Sequence, residues 1–430
     1  MRGNGAIIVA ALVAGICPAG VGAERGAAGK AKLDDPKALR GQIIVDPAHP
    51  AWLRRNGGGP VYLCGPGDPE DFLYRGRRRP DGTRDGDQEQ LIRKLIAHGG
   101  NCIYMQIVRS HGGDGQRDHN PFVDSDPAGG LSKPILDQWA EWFALMDTND
   151  ICIYLFVYDD SARIWNTRDQ VGAAERAFLG GLARRFGKLR NLIWVVAEEY
   201  GERLSARRVK SIAATLRAAD PHGHVIAVHK NNGLSFREFA DDANIKQFAI
   251  QWNVPTAKAL HEGMLKAWAE AAGRYGLVMS EAKGHPTDLR RKNWACATGG
   301  AHAMALGMDI ATTAPEDLAA CRIQQRFLES TDLNTMSPHD ELAAGGALYV
   351  LADPGRSYIV YAAAAGAAVG IRKMTAGGYD LSWLDCVTGK RIEQVGVEVT
   401  GGDASWRRPG GIGAELALWV RKAKAPAAGR

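Results

Sequence analysis

Two apolar runs in this chain stop at glutamates. Leu192-Ile193-Trp194-Val195-Val196-Ala197 is followed by Glu198, Glu199 and Tyr200, and Leu277-Val278-Met279-Ser280 is followed by Glu281. A carboxylate at the end of such a run sits at the rim of a hydrophobic core. Two carboxyl groups facing one another across a pocket can break a glycosidic bond. One protonates the leaving oxygen, and the other attacks the sugar carbon or activates water. Glu199 and Glu281 are therefore the candidate catalytic residues, and hydrolysis of O-glycosyl bonds is the candidate chemistry. Either glutamate alone reads equally well as a helix cap or a salt-bridged loop residue. The argument rests on the pair and on where the fold puts it.

That placement requires a scaffold. Between residues 60 and 335 short apolar runs alternate with amphipathic segments. The runs are Val61–Cys64, Cys102–Val108, Ile151–Tyr158, Leu192–Ala197, Val225–His229, Gln247–Trp252, Leu277–Ser280 and His302–Met308. Several are apolar on both faces, as strands covered by helices must be. Between them Ile135, Leu136, Trp139, Phe143 and Met146 recur at helical spacing. So do Phe178, Leu182 and Phe186, then Leu260, Met264 and Trp268, with Leu91 and Leu95 in the first such segment. Eight strand–helix units over about 275 residues predict a (β/α)8 TIM barrel. A doubly wound open sheet would want a glycine-rich phosphate turn after its first strand, and Gly65-Pro66-Gly67-Asp68-Pro69 is not one. In the barrel, Glu199 and Glu281 close the fourth and seventh strands and face each other across the mouth.

After about residue 340 the helical periodicity stops. Leu348–Ala352, Tyr358–Ala363, Ala368–Met374, Asp380–Asp385 and Leu416–Val420 read as short strands separated by turn residues such as Thr388-Gly389 and Pro409-Gly410-Gly411. They predict a small antiparallel β-sandwich. The expected organisation is a signal peptide over 1–23, a lead-in segment over 24–59, the barrel over 60–338, the sandwich over 339–423 and a disordered tail over 424–430.

The other strand ends are polar in the manner of a sugar site. The first gives Asp68, Glu70, Asp71 and Arg75, and the second Arg109, Ser110 and His111. The third gives Tyr158, Asp159, Asp160 and Arg163, the fifth His229, Lys230 and Asn231, and the sixth Gln251, Trp252 and Asn253. Glu198, Asp68, Arg109, His111, Tyr158, Asp159, Asp160, His229, Gln251 and Trp252 are the candidate substrate-binding residues, with the Trp252 indole as a platform for a sugar ring. Asp68, Glu70 and Asp71 fit no EF-type calcium loop. Asp159, Asp160 and His229 come without HExxH, and no GxSxG elbow is present. No metal or cofactor is expected.

Trp194-Val195-Val196-Ala197-Glu198-Glu199 resembles the strand-four segment of clan A glycoside hydrolases, in which Asn-Glu closes the strand and the glutamate is the acid/base. Ser280-Glu281 resembles the strand-seven nucleophile segment of that clan. The resemblance implies Glu199 as proton donor, Glu281 as nucleophile, and a retaining mechanism. The tail, with Tyr358-Ile359-Val360-Tyr361, Trp383-Leu384-Asp385 and Trp419-Val420, is similar to the sandwich labelled "collagen-binding" that follows apiosidase-like barrels; a brace against the barrel is the simpler role. Two departures stand out. Apiosidase-like barrels usually close strand four with Asp, and the clan's preceding Asn is Glu198 here. A second carboxylate can bridge two sugar hydroxyls or accept a cationic group. It also tends to raise the pKa of Glu199. Strict strand alternation would turn it away from the mouth.

Composition narrows the classes. Arg2, the apolar run Ala6–Cys17 and Val21-Gly22-Ala23 have the order of a secretory signal, and the run is too short to span a membrane. Ile16 is too bulky for lipoprotein processing at Cys17. The expected location is periplasmic or extracellular. With 45% apolar and 23% charged residues the chain can bury a large core. Basic residues are scattered or in short groups such as Arg77-Arg78-Arg79, which excludes a nucleic-acid footprint. Cys64, Cys102 and Cys152 sit in apolar runs and read as buried thiols, while a Cys296–Cys321 disulfide is compatible with an oxidising compartment. The expected partner is a carbohydrate substrate. The rival from another class is a non-catalytic carbohydrate- or matrix-binding protein on a degenerate barrel; a polysaccharide lyase or transglycosylase is a third.

Overall fold

In a computed structural model, which describes residues 32–66, 71–281, 288–305 and 309–423, eight parallel strands form one sheet. They are β4 (Cys64–Pro66), β5 (Cys102–Gln106), β6 (Cys152–Tyr158), β7 (Leu192–Ala197), β8 (Val225–Lys230), β9 (Ile245–Gln251), β10 (Gly276–Glu281) and β11 (His302–Ala305). Their order is β4-β11-β10-β9-β8-β7-β6-β5, so every strand but one pair lies beside its sequence neighbour. Asn101 joins the remaining edges. Its amide donates to the Cys64 carbonyl (3.1 Å), and its side-chain oxygen accepts from the Cys64 amide (2.7 Å). The barrel is thereby nearly closed.

Alternation along the strands sorts the core. Cys152, Tyr154, Phe156, Ile193 and Val195 fill the lumen, whereas Ile153, Leu155, Val157, Trp194 and Val196 pack outward against helices. Those helices are α1 (Gln88–His98), α2 (Lys133–Thr148), α3 (Ala173–Phe186), α4 (Ala206–Ala219), α5 (Ala257–Ala271), α6 (Leu289–Thr298) and α7 (Pro315–Glu329). In α2 the buried stripe is Ile135, Leu136, Trp139, Trp142, Phe143 and Met146, close to the one that the spacing predicts. Ser205 and Thr256 cap α4 and α5 by accepting from the amides of Arg208 and Ala259. Among the described residues no helix connects β8 to β9. Phe236 and Phe239 fill that space, with Phe236 stacked on Phe248 at 4.5 Å.

The first apolar run divides differently from expectation. Pro60–Val61 forms β3, which pairs antiparallel with β2 (Leu53–Arg55); β2 pairs in turn with β1 (Ile43–Val45). Ile43, Leu53 and Val61 join the lumen cluster, so this small sheet plugs one end of the lumen, and the barrel strand begins only at Cys64. The eighth run ends as a strand at Ala305, and its expected continuation to Met308 lies outside the described residues.

Residues 337–423 form two antiparallel sheets. One has the order β12-β14-β15-β20-β17-β18, from β12 (Ser337–Pro338), β14 (Tyr349–Asp353), β15 (Ser357–Ala362), β20 (Leu416–Lys422), β17 (Gly377–Asp385) and β18 (Arg391–Val399). The other has the order β13-β16-β19, from β13 (Ala343–Ala344), β16 (Ala368–Met374) and β19 (Gly402–Arg407). Trp383, Tyr379, Val360 and Ile371 meet between them. A separate cluster joins this module to the barrel: Trp294 stacks on Tyr361 at 5.3 Å, and Trp52 and Phe327 pack with Leu351 and Ile359. At its edge Arg290 donates two hydrogen bonds to Glu415 (2.9 and 2.7 Å). The six described cysteines are free and buried, so the Cys296–Cys321 disulfide is not formed; both thiols sit in packed apolar surroundings. No helix among the described residues is long and apolar enough to cross a membrane.

Candidate active site

Glu198 and Glu199 lie immediately beyond the last residue of β7. The chain turns sharply there: Glu199 has φ 34° and ψ 45°, a left-handed conformation that costs a non-glycine residue on the order of 1–3 kcal/mol. Strained backbone of this kind persists only where its surroundings hold it. Here the Glu199 amide donates to Nδ1 of His229 (3.0 Å), and its carboxylate Oε1 accepts from Gln251 Nε2 (2.5 Å). Gln251 is fixed in turn by the Asn232 amide, which donates to its Oε1 (2.8 Å). Neighbouring strand ends β8 and β9 thus position the Glu199 carboxyl group just beyond β7.

His229 is fully buried, and burial depresses its pKa to about 3, so the ring is neutral. With Nδ1 accepting, Nε2 carries the proton. It points toward Glu281 Oε2 at 3.7 Å, beyond hydrogen-bond length, and is not an ion pair. Glu281 closes β10, and its carbonyl accepts from the Trp252 amide (3.0 Å).

Glu198 does not face the helices. Its buried carboxylate turns into the lumen and accepts from the Tyr104 hydroxyl and from Gln106 Nε2. One oxygen of Glu198, one of Glu281 and one nitrogen of His229 lie within 4.8 Å of each other. Alternation is lost at the last pair of these strands, Tyr158 and Ala197: Val196 and Ala197 both join the helix-facing cluster, and Glu198 comes back to the lumen. Gln106 continues the network, its Oε1 accepting from Arg109 Nη1 (2.7 Å), while Arg109 Nη2 donates to Asp114 (2.7 Å).

Glu199 is half-buried, and its pKa rises to about 7. Burial is the main cause, followed by a hydrogen bond shared with Glu202; Gln251 opposes, and the charges of Glu281 and Glu202 add to the rise. Asp159 also rises to about 7, through burial and then the charges of Asp160 and Asp114. Asp160 lies within 4.8 Å of both Glu199 and Glu202.

The expected binding residues divide. Glu198, His229 and Gln251 belong to the glutamate network, and Arg109, Asp159 and Asp160 to the rim beside it. Tyr158 is corrected: its hydroxyl points outward and donates to Glu175 of α3 (2.7 Å), beside an off-axis cavity of about 560 Å³. Its phenol meets a buried carboxylate behind the sheet, which holds it there. Trp252 is half-buried, and the Nε1 edge of its indole lies against α5, where a Cβ on Gly263 would stand 2.6 Å away. His111 adopts φ 56° and packs edge-on against Phe122 at 6.1 Å, in the loop after β5. Asp68 and Glu70 lie outside the described residues.

Tyr104, Gln106, Asp114 and Glu202 were not among the expected residues. Tyr104 and Gln106 occupy alternate positions of one strand, a signal for polar groups in the lumen. Glu202 is one turn beyond Glu199.

No known family profile matches the chain, and no curated protein sequence matches it. Solved structures match its fold. A glycoside hydrolase family 5 structure from Bacteroides vulgatus superposes with a TM-score of 0.65 at 13% identity, covering 89% of this chain and 94% of that one. Another, described as a glycoside hydrolase, gives 0.62 at 12% identity, covering 89% and 97%. At such identities the likeness is one of fold, and it extends through most of each chain.

Proposed function

We propose that this chain is a secreted, retaining glycoside hydrolase of clan A, with Glu199 as acid/base and Glu281 as nucleophile. The observation that carries the reading is the pair of rim glutamates on β7 and β10, one held with its pKa near 7 and the other facing a neutral imidazole. In the first step the Glu281 carboxylate attacks the anomeric carbon. The bond to the leaving oxygen breaks, and that oxygen takes the proton of Glu199. In the second, Glu199 removes a proton from water, which attacks the same carbon and frees Glu281. Glu198, positioned by Tyr104 and Gln106, offers a carboxylate to sugar hydroxyls beside the reacting carbon. The fold shared with glycoside hydrolase structures supports the class. The N-terminal signal pattern supports a periplasmic or extracellular location, and the tail motifs an apiosidase-like subtype whose sandwich braces the barrel. A poly- or oligosaccharide is the proposed substrate.

A screen of nitrophenyl glycosides and purified polysaccharides tests this directly, with Glu281→Gln as control. Turnover by the wild type and its loss by several orders of magnitude in the variant are expected, with the anomer of the first product retained by NMR. Saccharide binding without turnover would favour a non-catalytic role instead.

A further inference from the structure

The loops after β5 and β6 bring together three carboxylates that the proposed hydrolysis does not use. One oxygen each of Asp114, Asp159 and Asp160 lies within 4.8 Å of the others. Acidic groups often cluster at surfaces without a ligand, but Asp159 is not at the surface. It is 3% exposed, and neither carboxylate oxygen has a hydrogen-bond partner. The Ala162 amide is turned toward it and falls short of bonding geometry. Oδ1 of Asp160 is likewise buried and unpartnered. A buried anion without donors is unfavourable unless something neutralises it. The Arg109 guanidinium, the cation nearby, donates to Gln106 and Asp114. The Gly113 backbone presses over the site so closely that a Cβ there would stand 1.8 Å from Asp159 Oδ2.

The geometry points to a divalent-cation site formed by Asp114, Asp159 and Asp160, with calcium as the ion. The donors are all oxygens, which select hard cations over zinc or copper. Oxygens within 4.8 Å of one another can all reach a single ion at ~2.4 Å, the calcium–oxygen distance, and three carboxylates suit calcium better than magnesium, which keeps its waters and takes one or two carboxylates. Asp159 forms a buried floor, Asp160 a half-buried wall and Asp114 an exposed rim, so water can complete the coordination from the solvent side. The ion would pin the loop after β5 to the loop after β6. It would also fix Asp160, which stands between this site and the Glu199–Glu202 pair. The site stands independently of the reaction assigned to Glu199.

The test is titration of calcium chloride into the chelator-treated full chain by calorimetry, with the melting temperature followed in parallel. One ion per chain is expected, together with a rise in melting temperature of a few degrees at about 100 times Kd. Asp159→Asn should abolish binding, and Asp114→Asn, at an exposed position, should weaken it about tenfold or more. If Asp159→Asn fails to fold, Asp114→Asn decides alone. No heat and no melting shift in the wild type would overturn the proposal. So would calcium binding that Asp114→Asn leaves unchanged, since the ion would then sit elsewhere, for instance at Glu198, His229 and Glu281.

Discussion

Tyr158 and Asp159 are consecutive residues at the end of β6, yet they enter two opposite kinds of acidic environment. Behind the sheet, Tyr158 donates to Glu175, a fully buried carboxylate that also accepts from Arg208 of α4. Arg208 is held further by the Gln170 carbonyl and the Thr167 hydroxyl. Every charge there has its counterpart, and the network ties α3 to α4. At the mouth, Asp159 and Asp160 keep unpartnered oxygens, Glu199 is strained and carries a raised pKa, and Glu198 lies close to Glu281. Structural carboxylates are satisfied within the fold. The mouth carboxylates are held at a cost in free energy that the fold alone does not recover, which is the physical signature of groups kept for a ligand or a reaction.

The contrast is sharpest where a carboxylate loses its charge. Glu199→Gln should lower turnover by about 10²–10⁴-fold on a substrate with a poor leaving group. The melting temperature should hold or rise, because the amide ends the repulsion with Glu202 and Glu281. A fall in both together would mean that Glu199 is structural after all. At the other site, Arg208→Leu leaves Glu175 buried and unpaired, which should cost about 3–5 kcal/mol in denaturant unfolding. Turnover per folded molecule should change little. Smaller is Tyr158→Phe, which deletes one hydrogen bond to a buried carboxylate and should cost about 1–3 kcal/mol. Its KM should match the wild type; a raised KM would return Tyr158 to the binding residues.

The same contrast explains what was legible in the sequence. Seven of the eight barrel strands announce themselves, because a strand covered by helices must be apolar on both faces, and Ile153 through Val157 satisfies lumen and helix layer at once; the first is displaced, its predicted run sharing only Cys64 with β4. Glu199 and Glu281 stand out for the converse reason, as charges ending such runs. The strands β18 and β19 escape notice because Arg391–Val399 and Gly402–Arg407 are mostly exposed, and little apolar patterning is required of them. The direction of Tyr158 depends on Glu175 and Arg208, residues far along the chain whose approach no local spacing records. For Glu198 the strand's alternation is informative only up to Val196, since Ala197 packs beside it in the helix-facing cluster.

The subtlest test concerns the balance around Glu199. As the proposed general acid it must be protonated, and with its pKa raised to about 7 the free protein should lose kcat/KM as pH climbs through about 7. Two neighbours pull that limb in opposite directions. Gln251 donates to the carboxylate and favours the anion, so Gln251→Leu should raise the pKa and move the limb to higher pH. Glu202 shares a hydrogen bond with Glu199 and adds like charge, both favouring the protonated form, so Glu202→Gln should move the limb to lower pH. Neither change touches the Glu175–Arg208 network, so the unfolding midpoint gives an internal control. Opposite displacements would locate the titrating acid between these two residues. Displacements in the same direction, or none, would assign the limb to another group, with Asp159 and its own pKa near 7 as the first to examine.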